Sequence, residues 1–284
     1  MVHGKTKHMS VANPLSQPMT QLKKSTDVHP TALVDPRAQL AEGVEIGPYT
    51  IVGPHVVIGR GTTIGSSCVI DGRTTIGADC RIFAGAIIGS IPQDLKYQGE
   101  PSQLIIGDRN RIREYVTMNP GTSGGGSKTI LGDDNLIMAY AHIAHDCLIG
   151  HHVIIANNGS LAGHIVVEDR AILGGLAAVH QFVRLGTLAI VGGCSKVVQD
   201  VPPYSTCDGH PARVYGLNVE GLRRARVTPA TRSQLKRAFR LLFQSQLTFE
   251  HAIGRVEREV ERGAEVQHLL DFVRTSKRGL CRSI

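Results

Sequence analysis

From Val28 to Pro202 the sequence repeats itself every six residues, and each hexad opens on Ile, Val, Leu or Met. The run begins VHPTAL, VDPRAQ, LAEGVE, IGPYTI and keeps strict register for eleven hexads, to IGSIPQ. It breaks at Asp94, returns for IGDRNR, IREYVT and MNPGTS, and breaks again in the Gly-rich GGGSKTI. From Leu131 it runs without interruption through VVQDVP. The second position is often Gly, and the fifth is mostly Ala, Val, Thr, Cys or Ser. A helix repeats every 3.6 residues and an alternating strand every two, so neither accounts for this period. Short strands joined by tight corners do. The large aliphatic points inward, Gly takes a backbone conformation closed to other residues, and a small side chain fits the corner. Three hexads close one triangular turn, so residues 18 apart stack.

The rest of the chain divides around this coil. Residues 1–27 hold four Lys and one Asp with no period, and read as a disordered extension. The coil spans 28–202, with loops at 94–105 and 121–130. Residues 203–218, containing DGHPARVYG, read as a connecting loop. From 219 to 284 the period is helical: Thr228-Pro229 starts one helix, Thr248 a second, and a third runs through Val266, Leu269, Leu270 and Val273. Aromatics are 4% of the chain and Trp is absent, so the core must be aliphatic. The six cysteines show no metal-ligand spacing, and Cys68, Cys80 and Cys147 fall at the fifth hexad position, as corner packing. Free thiols, no apolar run of membrane-spanning length and no signal peptide together read as cytoplasmic. The net charge of +7 lies wholly within 219–284, the remainder being neutral. Such an end suits an acidic partner or is simply a solvated Arg-rich face. No interleaving of aromatic and basic residues points to nucleic acid.

The stretch AHIAHDC sets His142 and His145 three residues apart, with Asp146 next. Eighteen residues beyond His145 is Gly163, beside His164. Eighteen further is Gln181, beside His180. The histidines thus fall near one column of successive turns. Three readings are open: solvent-facing polar residues, three imidazoles holding Zn²⁺ and its hydroxide, or a general base among groups that grip an anion. A long loop in a solenoid is usually functional, which adds the first excursion, at IPQDLKY.

The hexads resemble the left-handed parallel β-helix of the hexapeptide-repeat acyltransferases, a mainly-β fold carrying here a C-terminal α-helical domain. More specifically, VGPHVVIG, QDLKYQGEP, IGDRNRIRE, AHIAHDC, LAGH, GGLAAVHQF, VGGCS, QDVPPY and GLNVEGLRRA are similar, in order and spacing, to motifs of one family. These are the UDP-N-acetylglucosamine O-acyltransferases that begin lipid A synthesis. The resemblance implies transfer of a 3-hydroxyacyl group from acyl carrier protein to the 3-hydroxyl of UDP-N-acetylglucosamine. The 4′-phosphopantetheine belongs to the donor, so no cofactor or metal is expected. It implies His145 as base, Asp146 orienting it, and the Gly163 N–H as oxyanion donor. His142 is implied to contact the nucleotide phosphates, with His164, His180 and Gln181 around sugar and acyl group. Asn218 and Glu220 match uridine and ribose contacts, and Arg224 a phosphate contact. Gln93, Asp94 and Lys96 are implied to reach substrate across a subunit boundary, in a homotrimer with sites between neighbouring coils. Gly193 falls where acyl length is limited and, as glycine, implies a longer chain. The basic end gains acyl carrier protein as its acidic partner, with no nucleic acid and no stable membrane insertion expected. Pro120 and His210-Pro211 depart from the family pattern and leave donor contacts open. The rivals are a zinc γ-class carbonic anhydrase, another sugar acyltransferase, and a purely structural solenoid. An N-acyltransferase normally carries an extra N-terminal domain, for which 27 residues leave no room.

Overall fold

Most hexads fold as a two-residue strand and a four-residue corner, as in Val57–Ile58, Thr63–Ile64 and Val69–Ile70. In the computed structural model, which describes residues 25–281, the strands stack into three sheets of eleven, nine and eight strands, parallel except for one hairpin that ends the first. Asp27 pairs with Glu45 and His142 with Ser160, so the rungs lie 18 residues apart. The result is a left-handed parallel β-helix followed by helices, the architecture expected. The first-position aliphatics fill its interior, Ile58, Ile64 and Ile70 being at most 3% exposed, and Cys68, Cys80 and Cys147 are buried at the fifth. Buried polar residues at that position serve the next rung: Asn110 Oδ1 accepts from the Asn135 N–H at 2.9 Å. The coil starts at Asp27, one residue before the repeat is legible. The expectation for the N-terminal extension lies, up to residue 24, outside the described residues.

The interruptions leave the stack intact. Arg81 pairs with Arg111, 30 residues on, and Arg111 with Leu136, 25 on, so each excursion is extruded sideways while the rungs stay in register. Both end sooner than the hexads suggest, because strands resume at Gln103–Ile106 and Lys128–Leu131.

Two expectations need correction. Apart from Gly89 at the first break, the second-position glycines do not take left-handed backbone; the fourth position often does, and mostly non-glycine residues fill it, among them Tyr49, Asp79, Asp146, His164 and Phe182 with φ between 56° and 65°. The glycines are required by proximity instead. A Cβ on Gly59 would lie 2.5 Å from the backbone of Gly77, one turn above. And 203–218 is no loop: Ser205–Gly209 and Ala212–Leu217 form an antiparallel hairpin that continues the eleven-stranded sheet. Its inward residues Cys207, Ala212 and Val214 cover the last turn, as the end of a solenoid requires.

Four helices follow: α1 (Val219–Arg224), α2 (Pro229–Phe243), α3 (Phe249–Glu259) and α4 (Ala264–Thr275). The expected caps hold, with Thr228 accepting from the Thr231 N–H and Thr248 from that of His251. Leu235, Phe239, Val256, Val266, Leu269 and Leu270 form their shared core. The tail then returns to the coil. Leu280 bridges Asp200, whose carboxylate accepts from Ser276 and from the Arg184 N–H. Among the described residues no helix is long and apolar enough to cross a membrane.

Candidate active site

The corner that joins the nine-stranded sheet to the eight-stranded one carries His145 and Asp146 on one turn, Gly163 and His164 on the next, and Gln181 and Phe182 on the third. The 18-residue period therefore sets Gly163 over His145, as expected, with His164 over Asp146. His145, His164 and His180 thus occupy three adjacent columns rather than one, His180 standing over Ala162. The stacking is close: a Cβ on Gly163 would lie 2.5 Å from His145 Cε1.

His145 Nδ1 lies 2.8 Å from Asp146 Oδ2. The Asp146 side chain has no exposed surface, while His145 retains 14%. An ionised carboxylate only accepts, so the imidazole N–H sits on Nδ1 and the Nε2 lone pair faces the opening. Asp94, at the start of the first excursion, brings Oδ2 to 4.0 Å from that Nε2. The excursion thus sets a carboxylate beside a histidine of its own chain. Gln93 and Lys96 are exposed beside it. His164 stacks on Phe182 at 4.5 Å, stands edge-on to His145 at 5.0 Å, and brings Nδ1 to 3.9 Å from Asp146 Oδ2. Burial holds His164 below the ordinary imidazole range, against the pull of Asp146. His142, bonded through Nδ1 to Thr117 Oγ1 at 2.7 Å, is likewise lowered, by burial first and by the neighbouring His145 second. Both shifts favour the neutral ring near pH 7. The N–H of buried Gly163 finds no acceptor among the described residues. A free donor beside an imidazole is an arrangement that can stabilise an oxyanion.

Other expected residues lie elsewhere on this chain. His180 and Gln181 are exposed, and Arg278 donates to His180 Nδ1 at 3.1 Å. Gly193 sits at the corner between the eleven- and nine-stranded sheets, stacked on Gly175, where a Cβ would meet the Gly175 carbonyl oxygen at 3.2 Å. Asn218 is buried as the N-cap of α1, accepting from the Gly221 N–H and donating to the Leu188 carbonyl, both at 2.8 Å. That internal role was not foreseen. Glu220 and Arg224 are exposed on α1. Pro120 is buried at the entry to the second excursion, and the His210-Pro211 bond is cis within the hairpin turn. Cys147 is confirmed as packing, since burial pushes its thiol up to about 12 and its Sγ points at the Ala162 carbonyl.

His145, Asp146 and His164 offer ligand atoms within 4.8 Å of one another, the spacing a metal ion would need. Their bonds argue for another use. Asp146 Oδ2 already accepts from His145 and from Thr122 Oγ1, and Oδ1 from the Thr122 N–H, so a metal would have to displace existing bonds. Thr122 is the residue that sequence reasoning missed. It lies in the second excursion, where the repeat that locates the other residues is interrupted.

Comparison with known proteins places the chain in a family. A family model described as bacterial transferase hexapeptide (six repeats) matches residues 25–60 and 128–163, and one described as UDP N-acetylglucosamine O-acyltransferase, domain 2, matches 200–281. The acyl-[acyl-carrier-protein]–UDP-N-acetylglucosamine O-acyltransferase of Burkholderia lata is 50% identical over 261 residues, 90% of this chain and 100% of that one. The enzyme of that name from Thermodesulfovibrio yellowstonii is 48% identical over 256 residues, 90% of this chain and 99% of its own. Among solved structures, the UDP-N-acetylglucosamine acyltransferase of Bacteroides fragilis superposes with a TM-score of 0.88 at 40% identity, covering 89% of this chain and 99% of that one. A coil of hexads with a carboxylate-backed histidine beneath a free backbone N–H defines an acyltransferase of the hexapeptide-repeat class. Within that class, the chain belongs to the family of acyl-[acyl-carrier-protein]–UDP-N-acetylglucosamine O-acyltransferases.

Proposed function

We propose that this enzyme moves a 3-hydroxyacyl group from acyl carrier protein to the 3-hydroxyl of UDP-N-acetylglucosamine, the first step of lipid A biosynthesis, with His145 as general base. The observation that carries the reading is the His145–Asp146 bond at 2.8 Å directly beneath Gly163. A sugar hydroxyl is a poor nucleophile and a thioester an activated acyl donor, so the chemistry needs a base and a home for negative charge. Nε2 takes the hydroxyl proton as the oxygen attacks the thioester carbonyl, and Asp146 stabilises the imidazolium that results. The tetrahedral oxyanion forms against the Gly163 N–H. Its collapse expels the pantetheine thiolate, which takes the proton from Nε2 and restores the base. A neutral His142 donates to phosphate, His164, His180 and Gln181 line the sugar and acyl group, and Asp94, Gln93 and Lys96 close over the substrate. No resident cofactor or metal enters these steps.

The remaining residues fit an assembly. Gly193 and the Asn218–Glu220–Arg224 set lie at other corners from His145, so a neighbouring coil must bring its own copies to complete the site. A homotrimer with sites between subunits does this by rotation alone. Gly193 then leaves the acyl groove open for a longer chain. On α2, Arg232, Lys236 and Arg240 form one stripe along a groove of about 490 Å³ with Val219, Leu222 and Phe239, and have no acidic partner among the described residues. An acidic carrier protein suits that stripe, and the enzyme is taken to act in the cytoplasm. The test is His145→Ala, expected to lose roughly 10²–10⁴-fold in kcat while equilibrium binding of UDP-N-acetylglucosamine persists. A variant that transfers acyl groups at the wild-type rate removes His145 from the role of base.

A further inference from the structure

We infer that Thr122 is a positioning residue for acyl transfer, holding the Asp146 carboxylate in the single orientation that makes His145 a base. This rests on the reading of His145 given above. The Asp146 side chain is entirely buried, and its only ion-pair contacts among the described residues are His145 and His164. A buried anion without a permanent cation survives only if hydrogen-bond donors satisfy it. Thr122 supplies two of them, its N–H to Oδ1 at 2.9 Å and its Oγ1–H to Oδ2 at 2.6 Å, and His145 Nδ1–H is the third. Thr129 Oγ1 accepts from the Asp146 N–H at 2.8 Å and fixes the main chain beneath.

The second excursion is shaped around this carboxylate. The Thr122 carbonyl accepts from the N–H groups of Gly125 and Ser127, closing a tight turn. Gly125 comes so near that a Cβ there would lie 2.1 Å from Asp146 Cγ. The turn is also tied to the first excursion, since the Ser123 N–H donates to Glu100 Oε1 at 3.0 Å. The two-point grip fixes both carboxylate oxygens, so Oδ2 faces Nδ1, the proton stays on Nδ1, and Nε2 is left free for the sugar hydroxyl. Without the Thr122 hydroxyl, the carboxylate lacks a donor where water cannot replace it. It then rotates or takes up a proton, and in either state it holds the Nδ1–H less well.

Thr122→Val keeps the shape and the backbone N–H but loses Oγ1–H. We expect kcat to fall roughly 10- to 100-fold with KM for UDP-N-acetylglucosamine within about twofold of wild type. Thr122→Ser, which keeps the hydroxyl, is expected within about threefold of wild type. In an Asp146→Asn background, Thr122→Val should cost nothing further, because Thr122 acts through that carboxylate. Wild-type kcat in T122V, or losses that multiply in the double variant, would overturn the assignment. A T122S enzyme as slow as D146N overturns it even where T122V does not fold. An inactive H145A beside a fully active T122V removes Thr122 alone, whereas an active H145A removes the underlying reading and the assignment with it.

Discussion

At the scale of single residues, the site depends on what one position allows the next rung to do. Gly163 is the sharpest case. Its φ is ordinary, so alanine suits the backbone, yet the added Cβ would sit 2.5 Å from the His145 ring. Gly163→Ala should therefore leave the melting temperature nearly unchanged and lower kcat roughly 10²-fold by displacing base and oxyanion donor together. A G163A enzyme with wild-type kcat would show that the ring is not held against this glycine. The pairing of His145 with Gly163 was legible because stacking on an 18-residue period follows from counting. Thr122 was not, because the count fails inside an excursion. Asn218 shows the reverse: its motif gave no sign that its side chain also caps α1 and grips Leu188.

At the scale of elements, the question is how helices of a different period attach to a coil. One attachment is the bond from His268 on α4 to Glu168 on the coil at 2.8 Å, with Thr187 donating to the same carboxylate. The Glu168 hydrogen bond holds His268 above the ordinary imidazole range, although burial opposes it. A raised folded value means the contribution is complete below about pH 6.5, the unfolded value, and is lost as pH rises through the folded one. In urea unfolding, wild type should therefore exceed His268→Gln in stability by more at pH 6 than at pH 9. An equal gap at both values would show that the tie does not depend on protonation. The helices themselves were readable from their apolar spacing and from Thr228 and Thr248. The hairpin at 205–217 was not, since DGHPARVYG carries turn residues and little alternation. Its strand character comes from docking on the last rung of the eleven-stranded sheet.

At the scale of the whole molecule, the residues of the proposed site stand at different corners of one triangular coil. His145 stands at one corner, Gly193 at a second, and Asn218 bonds to Leu188 at the third. If neighbouring subunits complete each other, H145A and Arg224→Ala, each inactive alone, should restore activity when unfolded and refolded together. Random mixing leaves about a quarter of the sites with both intact partners, so about that share of the wild-type rate is expected. No recovery in mixed oligomers would place both residues in a site built from one chain.

The sequence by itself determined the coil, its period, its helical end and the residues that stack at the reacting corner. All of these follow from spacing, and spacing is written directly in the chain. Only the tertiary structure decided what depends on approach through space. It showed that the second-position glycines are there to let one rung lie on the next, and that the left-handed corners are filled mostly by ordinary residues. It turned the first excursion back onto its own His145 and folded the second around Asp146. Hydrogen bonds between residues 24 apart, across a break in the repeat, leave no periodic trace in a sequence.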